Sequence, residues 1–360
     1  MKRLFRRGLF GSVYAAAALS LVYFLLVRFL PFPDPALRAE MAEASRLMAA
    51  ADAAIKECRE SRGIPIDFAA DPNGTGLIGL ETSAITTSAG RLEAKRTTTN
   101  PNFAGLVLSL LHEAGARRGD AVAIGASSSF PALIVATLSA AKAMGVEPLI
   151  ISSLGASEFG ANMPGFNWTD MEDCLRAAGV LDLRPIARAI GGDEDVGRDM
   201  SPEGRMFLES RIRQSGVLFL EESDLERNVA SRMELFRKNA GSKPIKAFVN
   251  IGGSWANMGT SAEVLKLRPG LAAAVFIPPP GERGVLQAMA AEKIPVIHLL
   301  NIKGLCERYG LPWDPRPLPR PGEGRIFRET PAKSWPGAAL TAGYILGMCV
   351  VLILGRRRLI

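Results

Sequence analysis

Each end of the chain carries an uncharged apolar stretch, and at both ends the positive charge lies on the outer side. Gly8–Val27 is 20 residues long and follows Lys2, Arg3, Arg6 and Arg7; Gly337–Gly355 is 19 residues long and precedes Arg356, Arg357 and Arg358. At about 1.5 Å per residue each forms a helix about 30 Å long, the thickness of a bilayer's hydrocarbon core. Basic residues outside both spans predict that both termini are cytoplasmic and that residues 28–336 lie on the far side of the membrane. The first run is longer than a signal-peptide core. It closes with Arg28-Phe29-Leu30-Pro31 instead of a small-residue cleavage box, which predicts an uncleaved anchor. Gly343 and Gly347 form a small-xxx-small pair that would let the second span approach the first, or a partner's helix, closely.

Charge supports this division. The chain holds 43 Lys+Arg and 36 Asp+Glu; the two tails hold seven of the basic residues and no acid, so the remainder is balanced. The basic excess therefore reports topology, and no nucleic-acid partner is expected. Prolines 31, 33 and 35 follow the first span, and seven more between 312 and 336 precede the second, reading as semi-rigid spacers. The predicted organisation is a basic tail 1–7, a span 8–27, and a Pro-rich linker with a stalk helix over 28–60. An extracytoplasmic body 61–311, a Pro-rich linker 312–336, a span 337–355 and a basic tail 356–360 follow.

The body alternates strand and helix. Ala121–Ile124 reads as a strand, Pro131–Met144 as a helix and Pro148–Ile151 as the next strand, a βαβ unit of ordinary size. Helices are expected over 106–116, 170–178, 206–213, 225–239 and 285–293, and strands over 245–251, 272–277 and 295–300. Strands apolar on both faces with helices between them predict a doubly wound, mostly parallel α/β sheet of the Rossmann-like kind, set between two transmembrane helices. Of four cysteines, Cys349 falls in the second span; Cys58, Cys174 and Cys306 permit one disulfide, and spacing leaves the pairing open. With two histidines in the chain, no metal site is expected, and no cofactor.

In such sheets ligands gather at the carboxyl ends of the strands. Ser127, Ser128 and Ser129 lie in the loop between the first strand and its helix. They read either as an anion site at a helix N-terminus or as a helix cap with solvated neighbours. The loop lacks the Gly-x-Ser-x-Gly form of a nucleophile elbow. Gly252, Gly253, Ser254 and Asn257 follow a second strand, where paired glycines admit a ligand or simply make a turn. The sequence there is neither a dinucleotide fingerprint nor a Walker loop. His298 reads as a buried core residue or as the one imidazole base available at the sheet edge. The segment 81–102 is dense in hydroxyls and cations. Thr86, Thr87, Ser88, Arg91, Lys95 and Arg96 suit a carboxylate- or phosphate-rich ligand, or a solvated loop.

Three strings in these regions resemble the poly-gamma-glutamate system proteins: ETSAITTSAGRLEAKRTTTNPNFA (81–104), GASSSFPALIVATLSAAKAMGVEPLIISSLGASEF (125–159) and NIGGSWANMG (250–259). The resemblance implies a bacterial envelope protein working with the membrane subunits of a poly-gamma-glutamate synthase; it carries no assigned catalytic residue. The expected function is a membrane-anchored accessory protein that binds or guides the anionic polymer outside the cytoplasmic membrane. Two alternatives stand beside it. One is a hydrolase or transpeptidase of γ-glutamyl bonds, with Ser127, Ser128 or Ser129 as nucleophile and His298 as base. The other is a sugar-phosphate or nucleotide-binding enzyme.

Overall fold

The computed structural model describes residues 2–29, 36–182, 184–327 and 335–357. Prolines 31, 33, 35 and 331 of the expected linkers, and Arg358 of the basic tail, lie outside the described residues. In chain order the helices are α1 (Lys2–Phe29), α2 (Ala36–Ser61), α3 (Leu92–Thr98), α4 (Asn102–Glu113), α5 (Pro131–Met144), α6 (Trp168–Ala177), α7 (Pro202–Gln214), α8 (Leu225–Ala240), α9 (Trp255–Met258), α10 (Val285–Ala291), α11 (Ile302–Tyr309) and α12 (Trp335–Arg357). The strands are β1 (Ala121–Ser127), β2 (Glu147–Ser153), β3 (Asn162–Met163), β4 (Phe166–Asn167), β5 (Ala187–Ala189), β6 (Ile245–Ile251), β7 (Gly270–Leu271) and β8 (Val296–Leu299). Contacts divide the chain into two units, Met1–Arg38 with Arg328–Ile360, and Ala39–Phe327.

In the terminal unit α1 and α12 pack antiparallel, since residues 19, 20 and 23 of one meet 347, 344 and 341 of the other. The rings of Tyr23 and Tyr344 stack with centroids 4.4 Å apart. Ser20 Oγ lies 3.0 Å from the Tyr344 hydroxyl, and the Tyr23 hydroxyl 3.0 Å from Thr341 Oγ1. A side chain at Gly347 would come within 3.1 Å of Leu19, so that glycine makes the close approach expected of it, whereas Gly343 has no neighbour within 4 Å. Among the described residues one helix, Gly337–Gly355, is long and apolar enough to cross a membrane. The apolar stretch described in α1, Val13–Val27, is shorter. Of the two expected spans, the C-terminal one is the one the described residues support by length.

The body is an α/β unit around a six-stranded sheet in the order β5-β2-β1-β6-β8-β7. Every neighbouring pair is parallel except the edge pair β7–β8. Each residue of β1 is buried, as a strand covered on both faces requires. On one face Leu225, Val229, Met233 and Phe236 of α8 pack with Ala121, Ala123, Leu149 and Phe248. Phe236 meets Phe248 edge to face, centroids 6.1 Å apart. The expected strand over 272–277 does not form. Gly270–Leu271 pairs antiparallel with β8, the Ala272 N–H still donates to Val296 O at 2.9 Å, and the chain then leaves the sheet before the prolines 278–280.

The two segments read as a stalk and a linker belong to the body. Met41, Ala44, Met48, Ala51 and Ile55 of α2 are buried at helical spacing. In the proline-rich stretch Asp314 takes a two-pronged ion pair from Arg96 at 2.7 and 2.8 Å. Further along, Asn102 Nδ2 donates to the carbonyls of Arg320 and Glu323 at 3.0 Å each. Phe327 is buried against Gly105, where a side chain would come within 3.0 Å of its ring. The prolines thus stiffen a strap whose own polar groups hold it to α3 and α4.

Cys58 of α2 and Cys174 of α6 form a disulfide across 116 residues, while Cys306 is a buried free thiol. Cross-links closing long loops restrict the unfolded chain most, and removing a native one costs about 2–5 kcal/mol. Cys58→Ser is therefore expected to lower the unfolding free energy by about that amount and to slow the protein on non-reducing gels. Unchanged mobility and thermal unfolding would show that the two thiols are not joined.

Candidate functional site

Read along the chain, the parallel strands run 3-2-1-4-5, and the order reverses between β1 and β6. From β1 the chain passes through α5 to β2 on one side; from β6 it passes to β8 on the other. Their carboxyl-terminal loops part and leave a crevice, where open α/β sheets bind ligands. A cavity of about 660 Å³ occupies this place. Strand ends supply Ser127, Ser129, Ser153, Ser157, Gly253 and Ser254 to its wall, and the segment before the sheet closes it with Thr87, Ser88, Arg91 and Lys95. Asn301 and Lys303 form the rim beyond β8, and Phe130, Trp255 and Trp313 give apolar surface. Among the described residues one carboxylate, Asp199, lines it, and it already accepts the Asp193 N–H at 2.9 Å.

Backbone contacts bring the closing segment into place. Thr86 bridges Ala156, the Thr87 N–H donates to Ala156 O at 2.9 Å, and the Glu158 N–H donates to Ser88 O at 2.9 Å. The approach needs glycine. A Cβ at Gly90 would lie 2.4 Å from Glu158 O, and one at Gly160 would lie 2.9 Å from Ser129 Cα.

Lys95 is the centre of the wall. It is 3% exposed, and its Nζ donates to the Ser129 carbonyl and lies 2.7 Å from Ser157 Oγ. The same nitrogen sits 3.8 Å from the centroid of the Phe130 ring. Burial pushes this ammonium down to about 7, against the opposing pull of the Glu158 carboxylate. Beside it Ser127 Oγ donates to Ser129 Oγ at 3.0 Å, and Ser129 Oγ also accepts the Ser157 N–H at 2.9 Å.

The structure sorts the residues picked out from sequence. Thr87, Ser88, Arg91, Lys95, Ser127, Ser129, Gly253 and Ser254 meet at the cavity. Thr86 lies behind it, its hydroxyl accepting from Ser83 N–H and Asn162 Nδ2 at 2.8 and 2.9 Å. Arg96 points away to Asp314. Ser128 is fully buried and donates to Ser153 O at 2.7 Å, so it joins β1 to β2 and offers nothing to a ligand. Gly252 makes the turn out of β6 at φ +79°, and Asn257 packs under β1 against Gly125.

His298 is not a base for the serines. It lies in β8 opposite Asn250, and Asn250 in turn lies opposite Gly125 of β1, which sets it two strand spacings, about 10 Å, from β1. Its Nδ1 is 3.0 Å from Asn250 Nδ2, and burial holds its pKa down to about 4, so it stays neutral. The residues not singled out from sequence are Ser153, Ser157, Asp199, Asn301, Lys303 and the tryptophans. Ser153 and Ser157 had a signal, a hydroxyl-rich run (Ser152-Ser153-Leu154-Gly155-Ala156-Ser157) leaving the carboxyl end of a strand. Among the described residues no three His, Cys, Asp or Glu side chains converge as metal ligands.

No family model, curated protein or solved structure matches the chain.

A buried lysine with a depressed pKa weakens the fold as long as it must carry a proton. Below about 7 it is charged in both folded and unfolded chains and the cost is full. Between about 7 and its ordinary 10.5 the unfolded chain binds more protons, so stability rises with pH. The unfolding free energy of the protein relative to a Lys95→Met variant is expected to climb from pH 7 to pH 10. A difference that stays flat would show that Lys95 is not held in this way.

Proposed function

We propose that the protein is a membrane-anchored accessory component of poly-gamma-glutamate synthesis or export, holding the anionic polymer in the crevice between β1 and β6. The observation that carries this reading is the chemistry of the cavity wall. The cations Arg91, Lys95 and Lys303 and a row of serine and threonine hydroxyls face, among the described residues, a single carboxylate that is already engaged. Cations give charge-assisted hydrogen bonds to carboxylates, and hydroxyls serve the amide groups between them. A volume of 660 Å³ is in the range of small-ligand sites, about 300–1,000 Å³, and suits a short stretch of γ-linked glutamates. Phe130, Trp255 and Trp313 would cover the methylene chains. The polymer itself enters through the sequence resemblance.

The antiparallel pairing of α1 and α12 supports two spans with both termini on one face of the membrane, the cytoplasmic one by the basic flanks. The Cys58–Cys174 disulfide supports a body outside the cytoplasm, where such bonds persist. Exposed apolar side chains of the terminal helices, among them Phe24, Leu346 and Leu352, would meet lipid and the membrane subunits of the polymer synthase. The enzyme reading with His298 as base loses its base in this geometry.

Titrating the full-length protein in detergent with oligo-γ-glutamate is expected to change its tryptophan fluorescence through Trp255 and Trp313. An exposed ion pair is worth about 0.2–1 kcal/mol, so Arg91→Ala and Lys303→Ala should each weaken binding by up to about fivefold, and the double variant by more. Added salt should weaken it further, because both groups are exposed. Titration without response would remove the polymer from this cavity. For topology, protease added outside the cytoplasmic membrane is expected to cut the body, while a reporter that works only in the cytoplasm stays active after Ile360. A protected body would invert the arrangement.

A further inference from the structure

Lys95 is more than one of several cations. Arg91 and Lys303 stand in solvent at the cavity's edge, as an electrostatic clamp requires, but the Lys95 amine is enclosed and ends on a serine hydroxyl. We propose that Ser157 and Lys95 are a nucleophile and its general base, and that the cavity performs acyl transfer on the γ-glutamyl amide it binds. The inference takes its substrate class from the binding reading above and rests on it to that extent.

The hydrogen bonds fit the amine charged or neutral. As an ammonium, Lys95 Nζ donates to the Ser129 carbonyl and to Ser157 Oγ at 2.7 Å; once neutral it keeps an N–H for the carbonyl, and its lone pair can receive the Ser157 O–H across the same contact. That is the contact a base must make with the proton it removes. Burial, which brings the lysine close to 7, makes the neutral form available at physiological pH. Ser129 supplies a second element. Its Oγ already accepts from Ser127 and from the Ser157 N–H, filling both acceptor sites and leaving its own O–H to donate into the cavity. Placed beside the nucleophile, this donor suits the carbonyl oxygen that gains charge as the amide is attacked. Serine–lysine pairs without histidine are a known form of the nucleophile–base arrangement.

The step balances without a cofactor. The Ser157 proton passes to Lys95 Nζ as Oγ bonds to the γ-carbonyl carbon. The C–N bond then breaks, and the leaving α-amine takes the proton from the Lys95 ammonium, leaving a glutamyl ester on Ser157. Water attacking that ester releases a carboxylate and shortens the chain; an incoming amine attacking it re-forms an amide and transfers the chain.

The test uses a fluorophosphonate, which traps activated serines covalently, on the full-length protein in detergent, with the adduct located by peptide mass spectrometry. The expected result is a single adduct on Ser157, formed at a rate that rises with pH through a midpoint near 7 as Lys95 loses its proton. Ser157→Ala should abolish labelling, and Lys95→Met should slow it by about 100-fold or more. The wild-type pH profile decides the question even if the Lys95 variant fails to fold. No adduct, an adduct on Ser127 or Ser129, or a rate indifferent to pH would overturn the proposal. Oligo-γ-glutamate binding without labelling would overturn this inference alone and leave the binding reading standing. Labelling of Ser157 in a protein that does not bind oligo-γ-glutamate would keep the nucleophile and remove the γ-glutamyl substrate.

Discussion

The whole site depends on the parallel pairing of β1 with two partners whose onward connections run in opposite directions. Ser127 at the end of β1 is opposite Ser153 of β2, and Ala126 is opposite Ile251 of β6, so three strand ends finish level. A chain leaving β1 for α5 and one leaving β6 for α9 cannot fill the same volume, and the space between them opens at the level of these residues. Had β6 followed β2 on the same side, the loop after β1 would be covered by its neighbours. The hydroxyls at these strand ends would then need partners from within the protein. Here they line a cavity, with Ser129 bonded to Ser127 and to Ser157, and Lys95 bonded to Ser129 and Ser157.

A crevice walled by loops from several strand ends needs support from behind. On one wall the support is ionic and dry. Asp195 and Arg232 form an ion pair of 2.5 Å with both side chains 1% exposed or less, and Asn228 bonds to both of them. Buried pairs of this sort bring little net stability, yet breaking one costs about 3–5 kcal/mol because the remaining charge is left uncompensated. This pair holds a loop in which Gly191, Gly192, Glu194, Asp195 and Gly197 all have positive φ. At Glu194 and Asp195 such a backbone costs about 1–3 kcal/mol each and persists only where its surroundings enforce it. The loop carries Gly192 and Asp199 to the cavity, and Ser153 Oγ reaches back toward Asp195 Oδ1 at 3.4 Å.

Much of this was legible in the sequence. α5 and α8 carry their signal over 14 and 16 residues, and β1, β2 and β6 show apolar runs, read over 121–124, 148–151 and 245–251, close to Gly, Pro or Asp. The loops after β1 and β6 followed from them, because a doubly wound sheet places its ligand at those ends. The short β5 was not legible: Ala-Arg-Ala reads as a strand only once Arg188 is seen buried against Glu172. Nor was the strap over 314–327, since prolines that cannot pair in a sheet still dock through Asp314 and through carbonyls that Asn102 reaches. Ser157 escaped for a related reason. The hydroxyl-rich run after β2 marks it as polar, but what carries Lys95 to it is a bridge between segments 70 residues apart in sequence, Thr86 with Ala156, and that pairing has no local pattern.

Lys95 and Arg96 show most clearly what adjacency in sequence conceals. Read as a string, Arg91, Lys95 and Arg96 form one basic cluster. On α3 successive residues point about 100° apart, so neighbours 95 and 96 serve different walls. Lysine faces the cavity, where a flexible stem delivers a point charge or a neutral amine to two serines. Arginine faces the strap, where its planar fork meets the Asp314 carboxylate with two bonds. The division suits the chemistry of each side chain. Arginine keeps its charge under any burial and is the better structural clamp, whereas lysine is the cation that burial can discharge within the physiological range. Exchanging the two would leave composition and charge unchanged. It would put a permanent cation against the Ser157 hydroxyl and so take away an amine that burial brings to about 7.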